Sequence, residues 1–457
     1  MRPSSGSSCG APERGRPPAF LQRAIPLKIL LFTNNLAGGG AERAAATLAN
    51  FWARQGQEVT VVTLQRADDD FYRLDAQVRR IALNLSAGSG NVLAALLHNL
   101  RRVLALRRIL RQLRPAVAVS LMSTPNVLLA LAAGGLPHLA TIGSERDYPP
   151  HAPLGLIWTR LRKTMYGRLT AVVALTHECA HWIKNNSSAR RVVVVPNATV
   201  WPLPDQPPRI APEAVTPPER KVLLAVGRLN RVKNLTALID TFAQLAGRHS
   251  DWDLVMLGEG PERCALEAAV QEHGLMGRVF MPGIAGNMSE WYRRADLYVM
   301  TSLSEGFPNT LAEALAHGLA AVSVDCDTGP RDIIRHDIDG LLVPPGDMHA
   351  LLGALDRLME DGGLRMRFAA RAREARDRFS VERIASLWQA LFDELAPPAA
   401  TYAAGTASAI TPATASATKP ASTPATASAT ASETTPKTTP ATASAISSAT
   451  TTATGDA

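Results

Sequence analysis

The chain has 457 residues, of which 46% are hydrophobic and 19% charged, and it carries a formal net charge of +8. This length exceeds what one ordinary hydrophobic core supports and suits two domains, while the basic balance fits several kinds of anionic partner and selects none of them. The four cysteines lie far apart in the sequence, which excludes a disulfide framework or a zinc ribbon and favours a reducing cytosol.

Segment 1–26 opens the chain and is rich in Pro, Gly, Ser and Arg. It lacks the apolar core of a signal peptide, so we predict a disordered lead-in. Across 27–200, short apolar runs alternate with helical segments, which predicts a parallel sheet covered on both faces. The uncharged stretch 116–136 is long enough to cross a bilayer, but prolines and glycines interrupt it, and we interpret it as a strand, loop and helix of the domain core.

Prolines crowd segment 201–220, where they can continue neither a helix nor a central strand, so we predict an interdomain linker. The alternation of strands and helices restarts in 221–395. Segment 396–457 consists almost entirely of Ala, Thr, Ser and Pro and has too little apolar surface to offset the entropy of ordering, so a disordered tail is expected. The predicted fold class is therefore α/β, with two Rossmann-like parallel-sheet domains facing each other across a cleft, where ligands bind at the carboxyl ends of the strands.

The strongest chemical signal follows the first strand of the second domain. Arg228 comes directly after Gly227 at the end of this strand, and Lys233 follows five residues later, at the start of a helix. A diphosphate needs positive groups and free backbone amides, and a helix N-terminus favours anions. An isolated pair of this kind is usually solvated surface, but here a second motif accompanies it.

That second motif, segment 305–313, also follows a strand. Glu305 lies on the loop, and Glu313 is predicted one turn or more into the next helix. Gly306 lets a ligand approach the backbone closely, and the first amides of the helix point toward phosphate. These amides belong to Asn309, Thr310 and Leu311.

Together these motifs resemble the donor site of glycosyltransferase family 4, a family of retaining enzymes with the two-domain GT-B fold. The resemblance rests on Gly227-Arg228-Leu229 with Lys233-Asn234, and on Glu305 and Glu313 with seven residues between them. The first half carries motifs similar to those of the subgroup that builds capsular polysaccharides, exopolysaccharides or lipid-linked oligosaccharides. They are Asn34-Asn35-Leu36, Gly38-Gly39-Gly40-Ala41-Glu42-Arg43 and Gly143-Ser144-Glu145-Arg146.

The resemblance implies a role for each residue. Arg228 and Lys233 would neutralise the departing diphosphate, Glu305 would bind the hydroxyls of the donor sugar, and these three would form the catalytic set. Glu313 would bind the ribose hydroxyls. The other substrate-binding residues implied are Gly39 and Gly40, which let the backbone close over phosphate and acceptor, Arg146 in the cleft wall, and Gly306, Asn309, Thr310 and Leu311. The family often places a cleft histidine after a mid-domain strand of the first half, where this chain reads SLMSTPN over 120–126.

We therefore predict a retaining hexosyl- or N-acetylhexosaminyltransferase that uses a nucleotide diphosphate sugar, a UDP-sugar, and acts on a surface polysaccharide or a lipid-linked oligosaccharide. Two fixed cations and a helix N-terminus can stabilise the charge of a leaving diphosphate, so we predict no metal site and no cofactor. The expected location is the cytoplasm, with peripheral contact at the inner face of the plasma membrane. Nucleic acid is not an expected partner.

Three alternatives stay open. A UDP-sugar epimerase has the same fold, and a carbohydrate-binding protein can retain the fold without catalysis. The third is a zinc metallopeptidase, because His177-Glu178-Cys179-Ala180-His181 matches HExxH, which on a helix places two imidazoles on one face. The extended form of that motif is missing, since Lys184 and Ser187 stand where Gly and His are expected.

Segment 91–114 is leucine-rich and carries six arginines. With the basic residues of 160–168 it can form a cationic, apolar surface for an anionic bilayer. A sheet-packing helix with a solvated charged edge explains the same pattern, because Arg107 falls among the leucines on a helical wheel. The sequence leaves both interpretations open.

Overall fold

The computed structural model describes residues 26–86 and 91–396. The predicted lead-in and tail lie outside these residues, apart from Pro26 and Ala396, and so does Cys9.

Seven parallel strands form the first sheet. They are β1 (Lys28–Thr33), β2 (Glu58–Thr63), β3 (Arg79–Ala82), β4 (Val117–Leu121), β5 (Ala140–Ser144), β6 (Ala171–Ala174) and β7 (Val192–Val194). Their order across the sheet is β3-β2-β1-β4-β5-β6-β7. The strand order therefore reverses between β1 and β4, and the carboxyl ends of strands at such a reversal form a crevice that binds ligands.

Helices cover both faces of this sheet because its central strands are apolar on both faces. In β1, Ile29 and Leu31 point into one buried cluster, while Leu30 and Phe32 point into another. The helices of this half are α1 (Gly40–Arg54), α2 (Val92–Leu113), α3 (Ser123–Ala132), α4 (Leu156–Met165) and α5 (His177–Asn186).

Six parallel strands form the second sheet. They are β8 (Lys221–Val226), β9 (Trp252–Leu257), β10 (Val279–Gly283), β11 (Leu297–Met300), β12 (Ala321–Val324) and β13 (Gly340–Val343). Their order is β10-β9-β8-β11-β12-β13, so the reversal falls between β8 and β11. The predicted fold class, two parallel-sheet α/β domains, is confirmed.

Nine helices among the described residues follow the linker segment. They are α6 (Leu235–Ala246), α7 (Arg263–Glu272), α8 (Met288–Arg294), α9 (Asn309–Ala316), α10 (Pro330–Ile333), α11 (Met348–Glu360), α12 (Gly362–Ala372), α13 (Ala375–Arg378) and α14 (Val381–Leu395). The linker segment 201–220 lies along this half, where Ile210 exchanges two hydrogen bonds with the buried Asn287 side chain, at 3.0 and 2.9 Å.

Helix α14 packs on the first half of the chain, although the sequence pattern places 381–395 in the second domain. The rings of Trp388 and Phe392 lie 6.1 and 5.2 Å, centroid to centroid, from the Trp52 ring of α1. All three side chains are buried in the first core. The chain therefore crosses back to the first domain at its last described helix.

Within 26–86 and 91–396, no helix combines the length and the apolarity that crossing a membrane requires. The uncharged stretch 116–136 forms β4 and α3, as its interpretation as strand and helix predicts.

Candidate active site

A cleft of about 330 Å³ opens between the carboxyl ends of the two sheets, a volume within the range of small-molecule sites. It lies at the strand-order reversal of each sheet, between the ends of β1 and β4 on one side and of β8 and β11 on the other. The first wall consists of Gly40, Ala41, Glu42, Met122, Arg146, Asp147 and Asn197. The second consists of Lys233, Glu305, Gly306, Phe307, Pro308, Asn309 and Thr310.

Lys233 and Glu305 meet at the base of the second wall. Lys233 ends a short helical turn after β8, and Glu305 lies on the loop after β11; the ammonium Nζ is 2.5 Å from the carboxylate Oε1. The two side chains are 21% and 13% exposed, so each keeps one side open to the cleft. Gly227 lies beneath them, and a Cβ there would come within 2.9 Å of Lys233 Cε. A glycine at this strand end therefore lets the lysine cross into the cleft.

The N-terminus of α9 faces the same space. No side chain caps this helix, so its first amides remain available to an anion. Asn309 is held by a 2.9 Å hydrogen bond from the Asn197 amide of the first wall, and Thr310 accepts a 2.8 Å hydrogen bond from the Tyr298 hydroxyl. Leu311 does not reach the cleft, contrary to its predicted role, because its side chain is fully buried and its amide donates to the Pro308 carbonyl.

Gly306 brings the two walls into contact. A Cβ at this position would overlap the carbonyl oxygen of Arg146 in the first wall. Backbone atoms cannot move aside as a flexible side chain does, so only glycine permits this approach. Glycine is therefore required at this position because the backbone of the opposite domain lies against it.

Arg146 is a buried cation in the first wall. It is 6% exposed and donates to Asn197 and, at 3.3 Å, to Ser144. Its Nε has no hydrogen-bond partner among the described residues. Burial lowers the pKa of Arg146 to about 10, so the guanidinium remains charged at neutral pH. Its neighbour Asp147 also lines the cleft, and the loss of water around that carboxyl raises its pKa.

Met122 lies directly after β4, in the segment 120–126 where the family resemblance implies a histidine. Its φ of 84° is unusual for a residue with a side chain, and its amide donates to the Ser144 carbonyl at 2.9 Å. The position lines the cleft. The thioether of Met122 can donate no proton, so it cannot replace a histidine in that role.

A buried carboxylate lies behind the first wall. Glu145 is 2% exposed and accepts hydrogen bonds from the Tyr166 hydroxyl and from the Ser123 hydroxyl, the latter at 2.8 and 2.9 Å. Burial raises the pKa of Glu145. The side chain anchors the start of the segment that presents Arg146 and Asp147.

Glu313 does not line the cleft in this structure. The side chain is 2% exposed, with Arg43 of α1 on one oxygen and the Tyr292 hydroxyl, at 3.0 Å, on the other. The negative charge of Glu313 raises the pKa of Arg43. Arg43 therefore reaches from the first domain to the carboxylate predicted to bind ribose. The sequence motif contained this arginine, but its partner 270 residues away was not visible in the sequence.

Two more predicted residues do not line the cleft. Arg228 has an exposed side chain on the loop after β8, and Gly39 is the N-cap of α1. Seven residues of the two walls had no predicted role. Ala41, Glu42, Phe307 and Pro308 lie within the motifs already described, whereas three lie outside the motifs with predicted roles, namely Met122, Asp147 and Asn197. The sequence feature that could have identified these three residues is their position, because each follows the carboxyl end of a strand of the first sheet.

The HExxH segment forms α5, on which His181 Nε2 lies 2.9 Å from the Asn185 side chain. In the described part of the chain, no group of three His, Cys, Asp or Glu side chains is arranged to hold a metal ion. A zinc peptidase needs a third protein ligand, so the described residues do not support that alternative.

Two family models match the chain, Glycosyltransferase Family 4 over residues 38–199 and Glycosyl transferases group 1 over residues 208–375. Together they include every residue of both cleft walls. The protein belongs to glycosyltransferase family 4. The two matches confirm the predicted enzyme class, a glycosyltransferase, and the family resemblance.

Curated relatives of the glycosyltransferase act in polysaccharide and lipid-linked oligosaccharide pathways, according to their names. The amylovoran biosynthesis glycosyltransferase AmsD of Erwinia amylovora is 25% identical over 365 residues, covering 79% of this chain and 98% of that one. An α-1,4-N-acetylgalactosaminyltransferase of Campylobacter jejuni, named for an undecaprenol-diphosphate-linked substrate, is 26% identical over 370 residues, covering 81% and 99%. An exopolysaccharide phosphotransferase of Streptomyces coelicolor is 35% identical over 233 residues, which are 50% of this chain and only 24% of that relative.

The fold also matches solved structures. HepE of Anabaena, in complex with UDP, has a TM-score of 0.65 at 18% identity, and the match covers 81% of this chain and 100% of that one. The glycosyltransferase therefore has the GT-B fold, as predicted.

Proposed function

We propose that the protein is a retaining glycosyltransferase that transfers a hexose or N-acetylhexosamine from a UDP-sugar to a growing surface polysaccharide or lipid-linked oligosaccharide. The observation that carries the proposal is the Lys233–Glu305 pair, 2.5 Å apart, beside the open N-terminus of α9 in an interdomain cleft. The UDP complex of HepE supports a uridine donor, and the undecaprenol-linked substrate in the name of the Campylobacter relative supports the acceptor.

In the proposed reaction, the bond between the anomeric carbon and the diphosphate oxygen breaks, and its electron pair leaves with the diphosphate. The acceptor oxygen bonds to the same face of that carbon, and its proton passes to the departing phosphate. Lys233 and the first amides of α9 stabilise the developing negative charge, which is the largest contribution a site of this kind makes. Glu305 orients Lys233 and binds sugar hydroxyls, a positioning role.

We also propose that the reaction needs no divalent metal and no cofactor. Lys233 supplies one cation from the second wall, Arg146 supplies a buried one from the first, and Arg228 adds an exposed one on the loop after β8. These charges and the helix N-terminus suit a diphosphate without a bridging ion. The proposed location is the cytoplasmic face of the membrane, where a lipid-linked acceptor is anchored.

The test is a donor screen that measures released UDP, GDP or ADP from the purified full chain, with and without a chelator, in the presence of a lipid-linked oligosaccharide. We expect UDP release that the chelator leaves unchanged, and a product that keeps the donor's anomeric configuration by NMR. Loss of activity with the chelator would contradict metal independence, and an inverted product would contradict retention.

Lys233→Ala and Glu305→Ala are each expected to lower turnover about 10²- to 10³-fold, the usual loss of one charge-stabilising group. The matched control is Lys221→Ala at the opposite end of β8, where the lysine pairs with Asp251 at 2.8 Å. Circular dichroism checks that all three variants fold. Near-normal rates in both cleft variants would refute the assignment of the site.

A further inference from the structure

Helix α2 extends beyond the sheet that it covers. Its 22 residues span about 33 Å, whereas the longest strand of the first sheet has six residues, about 20 Å. The C-terminal half of α2 packs into the core through Leu106, Ile109 and Leu110. Residues 93–105 include no buried side chain, so the first half of the helix protrudes from the domain.

Five leucines on this protruding half are exposed. They are Leu93, Leu96, Leu97, Leu100 and Leu104, with exposures of 68%, 67%, 48%, 52% and 56%. Spacings of three and four residues place them in one stripe along the helix. The stripe lies on the other side of α2 from the core-facing residues, and no described residue covers it. The helix therefore has a second apolar face, which the fold of the domain does not use.

Helix α4 adds two exposed apolar side chains, Leu156 and Ile157, which are 85% and 66% exposed. Both helices pack against α3, and both begin at the carboxyl edge of the sheet because they follow β3 and β5. Leu156 comes nine residues after Asp147 of the cleft wall. The seven apolar side chains thus lie at the same end of the first domain as the cleft. They are called the docking surface below.

Positive charge borders the docking surface. Segment 76–177 has thirteen Arg and Lys residues and only two acidic ones, Glu145 and Asp147, whereas the chain as a whole has 48 and 40. Neither α2 nor α4 contains an acidic residue. The exposed cations on the two helices are Arg101, Arg108, Arg111, Arg160 and Lys163.

On a helical wheel, Arg107 falls among the leucines of α2, but in the structure its side chain turns toward α3. Its Nη1 donates to the carbonyls of Ala132, at 2.8 Å, and Gly134, at 2.5 Å, so it caps the end of α3 instead of interrupting the leucine stripe. Arg108 and Arg111 continue the stripe beyond Leu104, at helical spacing. The stripe is therefore apolar in its first half and cationic in its second.

We propose that the docking surface binds an anionic bilayer, with its leucines in the interfacial layer and its arginines at the lipid phosphates. An apolar face on two helices that carry cations and no acidic residue matches such a membrane. A second copy of the chain is a poorer partner, because pairing two such faces would bring like charges together. The contact would hold the cleft at the level of a lipid-linked diphosphate. That consequence rests on the proposed function, whereas the surface itself rests on α2 and α4.

The test is co-sedimentation of the full chain with vesicles of phosphatidylglycerol and phosphatidylethanolamine, compared with vesicles of phosphatidylcholine alone. We expect binding to the anionic vesicles that falls as salt is added. The triple variant Leu93→Ser, Leu96→Ser, Leu100→Ser is expected to lower the partition coefficient at least tenfold. Arg101→Gln, Arg108→Gln, Arg111→Gln is expected to reduce the preference for anionic over neutral vesicles.

The matched control is Met276→Ser, Met366→Ser, which removes two side chains of 72% exposure from the second domain and is expected to leave vesicle binding unchanged. UDP release with a detergent-solubilised acceptor is expected to remain normal in all three variants, which separates docking from catalysis. Equal vesicle binding by the wild type and the leucine variant would overturn the docking surface. So would a dimer in gel filtration that the leucine changes abolish, since that result assigns the stripe to a second copy. Absence of UDP release in the wild type would count against the proposed function alone.

Discussion

Glu313 and Arg43 form a buried ion pair that joins the two domains. The carboxylate oxygens already accept from Arg43 and Tyr292, yet each oxygen can accept more than one hydrogen bond. The proposed ribose contact therefore does not require the arginine to leave, although it does require the cleft to open to this carboxylate, which is 2% exposed. In this arrangement Arg43 is a positioning residue, because it holds the carboxylate that would contact the donor.

Arg43→Ala is expected to raise the KM for the donor about tenfold and to change kcat less. A hydrogen bond to a charged group contributes about 1.5–3 kcal/mol, and the lower end applies because the Arg43 side chain is 33% exposed. The measurement is UDP release against donor concentration. Arg54→Ala, at the far end of the same helix, is the control, since Arg54 pairs with Asp75 on the surface. An unchanged KM would show that Arg43 does not position Glu313.

Glu145 gives the protein a pH-dependent stability. Burial raises the pKa of this carboxyl on folding, so the folded state binds its proton more tightly than the unfolded state does. Its contribution to stability is therefore largest below the ordinary pKa of a glutamate and falls as the pH rises toward the raised value.

Glu145→Gln removes that titration while keeping an acceptor for Ser123 and Tyr166. Above the ordinary pKa of a glutamate, the wild type should lose stability as the pH rises, whereas the variant has no such loss. We therefore expect the difference in unfolding free energy, variant minus wild type, to increase with pH over this range. Urea denaturation at a series of pH values measures it. Glu382→Gln, at an exposed position, is the control. A difference that does not vary with pH would mean that the carboxyl titrates alike in both states.

At the scale of elements, the loop between β11 and α9 sets the distance between the two walls. Gly306→Ala is expected to lower kcat about a hundredfold, because the added Cβ overlaps the Arg146 carbonyl and a displacement of about 1 Å at a reacting site costs that much. Gly353→Ala in α11 is the matched control, since its Cβ would meet nothing within 4 Å. The control should keep full activity and gain up to about 1 kcal/mol of stability. A fully active Gly306→Ala would show that the walls are apart during catalysis.

At the scale of the whole molecule, the chain crosses between the domains twice. The first crossing runs into segment 201–220, and the second precedes α14. The two crossings lie side by side, because the Thr199 amide donates to the Phe379 carbonyl at 2.7 Å. Adjacent crossings of this kind form a hinge, about which two domains can close on a ligand.

Trp388→Ala tests how firmly α14 is tied to the first domain. Truncating a fully buried tryptophan costs about 3–5 kcal/mol, so we expect a lower denaturation midpoint for the transition that reports the first domain. Arg383→Ala, exposed on the same helix, is expected to change stability by less than about 0.5 kcal/mol. An unaltered midpoint for Trp388→Ala would mean that α14 detaches before the domain unfolds.

Sequence alone was enough for the alternation of strands and helices and for the glycosyltransferase resemblance, because both depend on local patterns. A buried parallel strand shows as an apolar run, and Lys233, Glu305 and Gly306 each lie within a few residues of such a run.

Tertiary structure decided which side chains meet. The Arg43–Glu313 pair, the overlap that restricts position 306 to glycine, and the return of α14 to Trp52 all join residues more than a hundred positions apart, and no local pattern encodes such distances. The exposure of the α2 leucines was decided in the same way. On a helix, an apolar stripe that faces the core and one that faces outward have the same spacing, and only the packing of the rest of the chain distinguishes them.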